Sequence, residues 1–80
     1  MSNEDRGKFR RDLTRVLTEA YNHLELRADA SVQVKEYIEH YEFRLAYELI
    51  MYELREKEVP ADAAASLKAA ALRMGLQNSN

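Results

Sequence analysis

The fold is decided by residues 40–60, HYEFRLAYELIMYELREKEVP. This stretch combines a short acidic-aromatic turn at 40–42, a helix that is apolar around most of its circumference, and a proline at position 60. A helix with so wide an apolar arc packs against several neighbours, so in a small protein it must be central. Its remaining apolar and acidic side chains then face a neighbour or a partner.

We predict that this helix, the third of the chain, runs from about Glu42 to Lys57, because Pro60 ends it. At 100° per residue its side chains separate into an inward arc and an outer strip. The inward arc is Leu45, Ala46, Leu49, Ile50 and Glu53, and the outer strip is Arg44, Glu48, Met51 and Arg55, flanked by Tyr47, Tyr52 and Leu54. A buried Glu53 needs a partner, because an unpaired carboxylate costs several kcal/mol or takes up a proton.

The apolar periodicity of the remaining sequence predicts three more helices. The first ends near Arg27 and carries the stripe Phe9, Leu13, Val16, Leu17, Ala20, Tyr21 and Leu24. The second begins at a Ser31 cap and shares one face among Val34, Tyr37, Ile38 and Tyr41. The fourth follows an Asp62 cap, points Leu67, Ala70, Ala71 and Met74 inward, and ends at a left-handed Gly75 with Leu76 folding back.

A tight turn at 40–42 separates the second and third helices, although one continuous helix is the alternative because neither Gly nor Pro enforces the break. The predicted fold class is all-α: a compact four-helix bundle with a central third helix, in one domain spanning residues 1–80. We expect the small side chains of the fourth helix to approach the third closely. Ser2 or Asn3 is expected to cap the first helix, and the tail 77–80 to be frayed.

Composition bounds the class of protein. Eighty residues with two Gly, one Pro and no Cys make one small folded domain without disulfides or thiolate metal sites. No stretch approaches the roughly 18 apolar residues of a membrane span, and no apolar segment follows the polar start. We therefore expect a cytoplasmic protein that does not bind membranes.

The residues that could carry chemistry form no catalytic constellation. Glu36 and His40 share a helix face, as do Glu19 and His23, but neither pair belongs to a recognised metal motif. There is no Gly-rich phosphate loop, and the serines have no evident base. We expect no enzymatic activity, no cofactor and no metal.

The net charge of −2 is unevenly distributed along the chain. Residues 31–60 hold four bases and seven acids, which favours a basic partner and disfavours nucleic acid. The first helix instead carries the basic cluster Arg6, Lys8, Arg10, Arg11 and Arg15. This cluster either contacts phosphates or is a solvated face balanced by Asp5, Asp12 and Glu19.

Several short motifs recur in one known family. They are Glu42-Phe43-Arg44-Leu45-Ala46-Tyr47-Glu48-Leu49, Leu54-x-Glu56, Val59-Pro60, Leu67 and Met74-Gly75-Leu76. With these motifs, residues 38–76 resemble the MafI-type immunity proteins of bacterial polymorphic toxin systems, although Tyr41 stands where that pattern prefers Gly and Asp62 where it prefers Ser. The resemblance implies a small helical protein that binds the toxic C-terminal domain of a cognate secreted effector. Such toxins are often nucleases with basic clefts.

We therefore predict an immunity protein that occludes a toxin domain with its second and third helices. The expected contacts are Glu36, Glu39, Tyr47, Glu48, Met51, Tyr52, Arg55 and Glu56. The acidic residues would steer and pair, Tyr and Met would be buried anchors, and Arg55 would bind a carboxylate. Alternatively, the two tyrosines only shield the edges of the third helix.

Two other functions are left open. In the first, the protein is a small regulator that contacts nucleic acid through the basic first helix. In the second, it is a helical oligomerisation module whose third helix meets its own copy, as in a homodimer.

Overall fold

The computed structural model describes residues 3–76, with the side chains of residues 6–76. It contains four helices: α1 (Asn3–Asn22), α2 (Ala28–Glu39), α3 (Phe43–Leu54) and α4 (Ala61–Met74). The described residues form no strand, and the predicted all-α four-helix bundle is confirmed. The cap predicted at Ser2 or Asn3 and the predicted frayed tail at 77–80 lie outside the described residues and side chains.

The core is built from the apolar faces that the periodicity predicts. Its main buried side chains are Leu13, Val16, Leu17, Ala20, Val34, Ile38, Ala46, Ile50, Leu67 and Ala70. The third helix contacts all three others, and so does α1. The fourth helix packs mainly against α1 and only sparsely against α3, so the expectation that its small side chains approach the third helix closely is wrong.

The bundle consists of two closely packed helix pairs, α1 with α4 and α2 with α3. Contacts between α1 and α2 and between α3 and α4 are sparser, and α2 does not contact α4 within the described residues. Two grooves therefore remain open on the surface, one along α1 and α2 and one along α3 and α4.

The turn between α2 and α3 confirms the predicted break at 40–42. Tyr41 has a left-handed backbone with φ 61°. The Glu42 N–H donates to the Tyr37 carbonyl at 2.8 Å and the Tyr41 N–H to the Ile38 carbonyl at 3.1 Å, which is the Schellman arrangement of a helix end. Because Tyr41 has a β-carbon, this conformation costs about 1–2 kcal/mol that Gly would not incur.

The end of α4 is also as predicted. Gly75 has φ 70°, and the Leu76 N–H donates to the Ala71 carbonyl at 2.9 Å. The glycine adopts the left-handed conformation without a steric cost, so Leu76 folds back over the helix end.

Both predicted internal caps are wrong. The second helix begins at Ala28, three residues before Ser31, and the Ser31 hydroxyl instead hydrogen-bonds the Tyr21 hydroxyl of α1. The fourth helix begins directly after Pro60, and Asp62 lies in its first turn. Proline fits the start of a helix because its φ is preset and its missing N–H would have no intrahelical acceptor there. A carboxylate in the first turn still interacts favourably with the helix dipole.

Two predicted helix ends are too late. The first helix ends at Asn22 rather than near Arg27, and the third ends at Leu54 rather than at Lys57. A hydrogen bond between residues three apart, as in a 3₁₀-helix, follows each helix end. The His23 N–H donates to the Ala20 carbonyl, and the Lys57 N–H donates to the Leu54 carbonyl. Pro60 therefore does not end α3 directly.

Some predicted core positions are exposed. Phe9, Tyr41 and Leu45 are exposed, whereas Phe43 and Leu54 are buried. The inward face of α3 is centred on Ala46 and Ile50 and includes Phe43 and Leu54 instead of Leu45.

Candidate partner-binding surface

The outward side of α3 combines charged and apolar side chains that the bundle does not cover. Five exposed residues form this outer face of α3: Arg44, Glu48, Met51, Tyr52 and Arg55. Tyr52 is 57% exposed and Met51 43% exposed. The predicted outward direction of Arg44, Glu48, Met51 and Arg55 is confirmed. Tyr47 is half-buried and packs against the core, so only part of its ring is available to a partner.

Buried Glu53 has the partner that its position requires, and the partner is Arg27. The Arg27 Nε donates to Glu53 Oε1 at 3.2 Å and Nη2 donates to Oε2 at 3.1 Å. The Glu53 side chain is 6% exposed and that of Arg27 is 65% exposed. The hydrogen bonds to Glu53, with the nearby charge of Asp29, raise the pKa of the Arg27 guanidinium. The pair fixes the α1–α2 connection to the end of α3.

Arg55 lies beside this pair and covers Tyr52. Its guanidinium carbon is 3.9 Å from the centre of the Tyr52 ring, and Nη1 donates to the Tyr52 carbonyl at 2.7 Å. This cation–π contact and the hydrogen bond hold the side chain against its own helix end. A guanidinium has five N–H donors, so others remain for the carboxylate that the sequence analysis assigned to Arg55.

A groove of about 320 Å³ connects these residues at the end of α3. It is lined by Arg27, Tyr52, Glu53, Arg55, Glu56 and Lys57. The structure thus brings together three predicted contacts, Tyr52, Arg55 and Glu56. It adds Arg27, which the sequence analysis placed at the end of the first helix. The signal for Arg27 was Glu53 itself, because a buried carboxylate requires a cation or donor.

Tyr47 and Met51 lie on the other side of the outer face, toward α4. They line an apolar groove of about 330 Å³ between α3 and α4. Its other lining residues are Val59, Ala64, Leu67, Lys68, Ala71 and Leu76. The sequence does not predict this groove, because the sparse packing of α3 on α4 depends on tertiary structure.

The acidic contacts predicted on the second helix lie elsewhere. Glu36 is exposed and, two residues from buried Val34 and Ile38, points away from the core. Glu39 lines a groove between α1 and α2. Glu48, on α3, accepts a hydrogen bond from Arg44 Nε at 3.2 Å. Six of the predicted contacts therefore lie on or next to the outer face of α3, whereas Glu36 and Glu39 lie on α2.

Part of the basic cluster of the first helix is neutralised within the bundle. Arg15 Nη2 donates to Asp12 at 2.8 Å, and Nη1 donates to Glu19 at 3.5 Å. Asp12 also accepts a hydrogen bond from Arg73 of α4. The hydrogen bonds from Arg73 and Arg15 lower the pKa of the Asp12 carboxyl. For Arg15, this pairing favours the solvated-face interpretation over a phosphate contact.

Neither a metal site nor a membrane span is found in the part of the chain that the structure describes. No three side chains of His, Asp or Glu come close enough there to hold a metal ion. None of its helices has both the length and the apolar character needed to cross a bilayer. Comparisons with protein-family models, curated proteins and solved structures found no match to this chain.

Proposed function

We propose that this protein is a non-enzymatic immunity protein that binds and neutralises a cognate toxin domain through the outer face of α3. One observation carries the proposal. Tyr52 and Met51 are exposed on a helix whose opposite side already fills the core with Ala46 and Ile50. The bundle does not bury these large side chains in its own core, so we infer that they contact a partner protein.

The residue types of this face suit a protein interface. Tyr, Met and Arg are enriched in interfaces, and Tyr and Arg dominate the positions where truncation is most costly. Arg55 covers the Tyr52 ring, and the neighbouring Arg27–Glu53 pair fixes the end of α3 beneath it. A side chain that is already ordered loses less entropy on binding, so Tyr52 is a suitable anchor.

The charge of the surface suits a basic partner. Residues 42–58 contain five acids and three bases. Glu56 lies beside Tyr52 in the groove at the end of α3, and Glu48 lies on the outer face itself. A basic nuclease cleft would be attracted to Glu48 and Glu56 and to the net negative charge of this stretch of chain, and the attraction would raise the association rate at low salt. Binding there would occlude the active surface of the toxin in the cytoplasm of the producing cell.

Co-expression with the toxin encoded beside this gene tests the proposal. The variant Tyr52→Ala combined with Glu48→Arg removes the anchor and reverses one charge of the outer face. We expect it to lose protection of the cell and to bind the toxin domain at least about 100-fold more weakly.

A matched control makes the same type of change on the outward side of α2. Val32→Ala combined with Glu36→Arg removes an exposed apolar side chain and reverses one charge there. Survival lost only with the α3 variant supports the proposal. Full protection by the α3 variant would remove the outer face of α3 from the interface.

Self-association is the second candidate, favoured by the exposed apolar side chains Leu45 and Met51 on one helix. Under the immunity proposal, sedimentation equilibrium of the free protein gives the mass of a monomer. A dimer that Met51→Glu dissociates would instead assign this face to a second copy of the chain.

A further inference from the structure

The groove between α1 and α2 is a separate surface from the outer face of α3. It has two adjoining parts of about 620 and 480 Å³, which share Thr14, Thr18 and Tyr41. Small and polar side chains, Thr14 and Thr18 among them, line it, and α1 and α2 pack sparsely along this edge. Its basic walls are Arg10, Arg11 and Arg15 of α1 and Lys35 of α2.

Tyr41 lies where the two parts of this groove meet, in a backbone conformation that its side chain disfavours. It is the one non-glycine residue with positive φ in the part of the chain that the structure describes. The hydrogen bonds of the turn come from backbone atoms, so glycine would make them without strain. The ring is 53% exposed and lies 4.7 Å from the Arg10 guanidinium carbon. Strain of this kind typically marks positions where a side chain has a function outside the fold.

The groove carries an excess of basic side chains. Arg15 is paired with Asp12 and Glu19. Arg10, Arg11 and Lys35 form no ion pair with another described residue, and Glu39 is the remaining acid in the walls. Three cations thus face one carboxylate around an exposed aromatic ring.

We propose that the α1–α2 groove is a second docking surface, which binds an acidic peptide segment of a partner protein. Tyr41 packs against an apolar or aromatic side chain of the segment. Arg10, Arg11 and Lys35 donate charge-assisted hydrogen bonds to its carboxylates. The surface lies on a different side of the bundle from the outer face of α3, so a toxin domain there and an acidic segment here can bind separately.

A protein segment fits this groove better than nucleic acid does. Glu19 and Glu39 lie among the cations and would repel the continuous phosphates of a polynucleotide. A peptide carries its carboxylates at intervals and can place neutral residues beside these acids.

Fluorescence anisotropy with a labelled alternating Glu–Tyr peptide tests the proposal without any toxin. The triple variant Arg10→Ala, Arg11→Ala, Lys35→Ala is expected to bind this probe at least about tenfold more weakly than the unmodified protein. The matched control Arg44→Ala, Lys57→Ala, Lys68→Ala removes the same charge outside the groove. It is expected to change binding by less than about twofold.

Tyr41→Gly separates binding from stability. It removes the proposed anchor and relieves the strained backbone, so the thermal midpoint stays equal or rises while the affinity for the probe falls by about fivefold or more. This combination is not expected of a residue that serves only the turn, and it keeps the test decisive if the triple variant does not fold.

Three results would overturn the proposal. The first is no binding of the peptide probe, or equal binding by Tyr41→Gly. The second is equal weakening by the triple variant and its matched control, which would show a response to total charge alone. The third is tighter binding of a single-stranded DNA oligonucleotide than of the peptide, which would assign the groove to nucleic acid.

Discussion

The Arg27 guanidinium holds the Glu53 carboxylate through two hydrogen bonds across a separation of 26 residues. Glu53 is buried in α3, whereas Arg27 lies on the connection between α1 and α2 and is largely exposed. The free energy of this pair therefore depends mainly on Glu53, which has lost its hydration and relies on Arg27 for compensation. The pair links the end of the third helix to the beginning of the second.

Arg27→Ala is expected to lower the free energy of unfolding, because it leaves the buried Glu53 carboxylate without its charged partner. The loss of stability is smaller than for a fully buried ion pair, because solvent screens the charge of the exposed Arg27. Urea unfolding followed by circular dichroism measures it. Arg27→Ala combined with Glu53→Met should recover most of the loss, and a double variant less stable than Arg27→Ala would contradict this account.

Tyr41→Gly is expected to be more stable than Tyr41→Ala by about 1 kcal/mol, because both lack the ring but only glycine adopts a positive φ without strain. Thermal unfolding of the two variants measures the difference. Because both variants lack the ring, the loss of its contacts with Arg10 and Phe43 is the same in each and cancels in the difference. Equal midpoints would mean that the turn is not left-handed at position 41.

Ala70→Leu is expected to destabilise the bundle by about 1–3 kcal/mol, because Ala70 is fully buried and the larger side chain would force the helices apart. Ala65→Leu is the matched control at an exposed position of the same helix and should change stability by less than about 0.5 kcal/mol. Chemical denaturation of both variants checks the packing of α4. An Ala70→Leu variant as stable as the unmodified protein would contradict the burial of Ala70 in the core.

Asp12 is expected to contribute to the pH dependence of stability. Its pKa is lowered in the folded state by the hydrogen bonds from Arg73 and Arg15. Its contribution is therefore fully present above the unfolded-state pKa of about 3.9 and is lost as the pH falls through the lower folded-state value.

Urea midpoints measured from neutral to acidic pH test this dependence. The advantage of the unmodified protein over Asp12→Asn should be largest near neutral pH, shrink below about pH 4 and decrease with added salt. Glu36→Gln, which removes an exposed carboxylate of α2, is the control and should reproduce neither trend. An advantage that grows on acidification would reverse the assigned sign.

The sequence predicted the fold because its strongest signals are local. Apolar side chains at helical spacing indicated four helices, and residues 40–42 and Gly75 were correctly predicted as helix ends. These signals depend on side chains within one or two turns of each other. The outward direction of Met51 and Arg55 on α3 followed from the same spacing.

The predictions from the sequence were wrong at positions where tertiary contacts determine the role of a residue. Ser31 has the chemistry of a cap, but its hydroxyl bonds Tyr21 of another helix. Leu45 and Phe43 are equally apolar, and only the packing direction of α3 buries the second. Arg27 can reach Glu53 because α1 ends at Asn22, which places Arg27 on the connection that crosses the end of α3. The separation of Glu36 and Glu39 from the outer face of α3 has the same tertiary origin.

The most extensive helix contact, α1 against α4, joins the first and last helices of the chain. The buried face of α1 with Leu13 and Leu17 is therefore covered in large part by the helix that lies furthest from it in the sequence. Closing so long a loop is slow for a helical protein, because the chain loses conformational entropy before the contact forms. Folding is thus expected to complete the local α2–α3 pair before the contact between α1 and α4 closes.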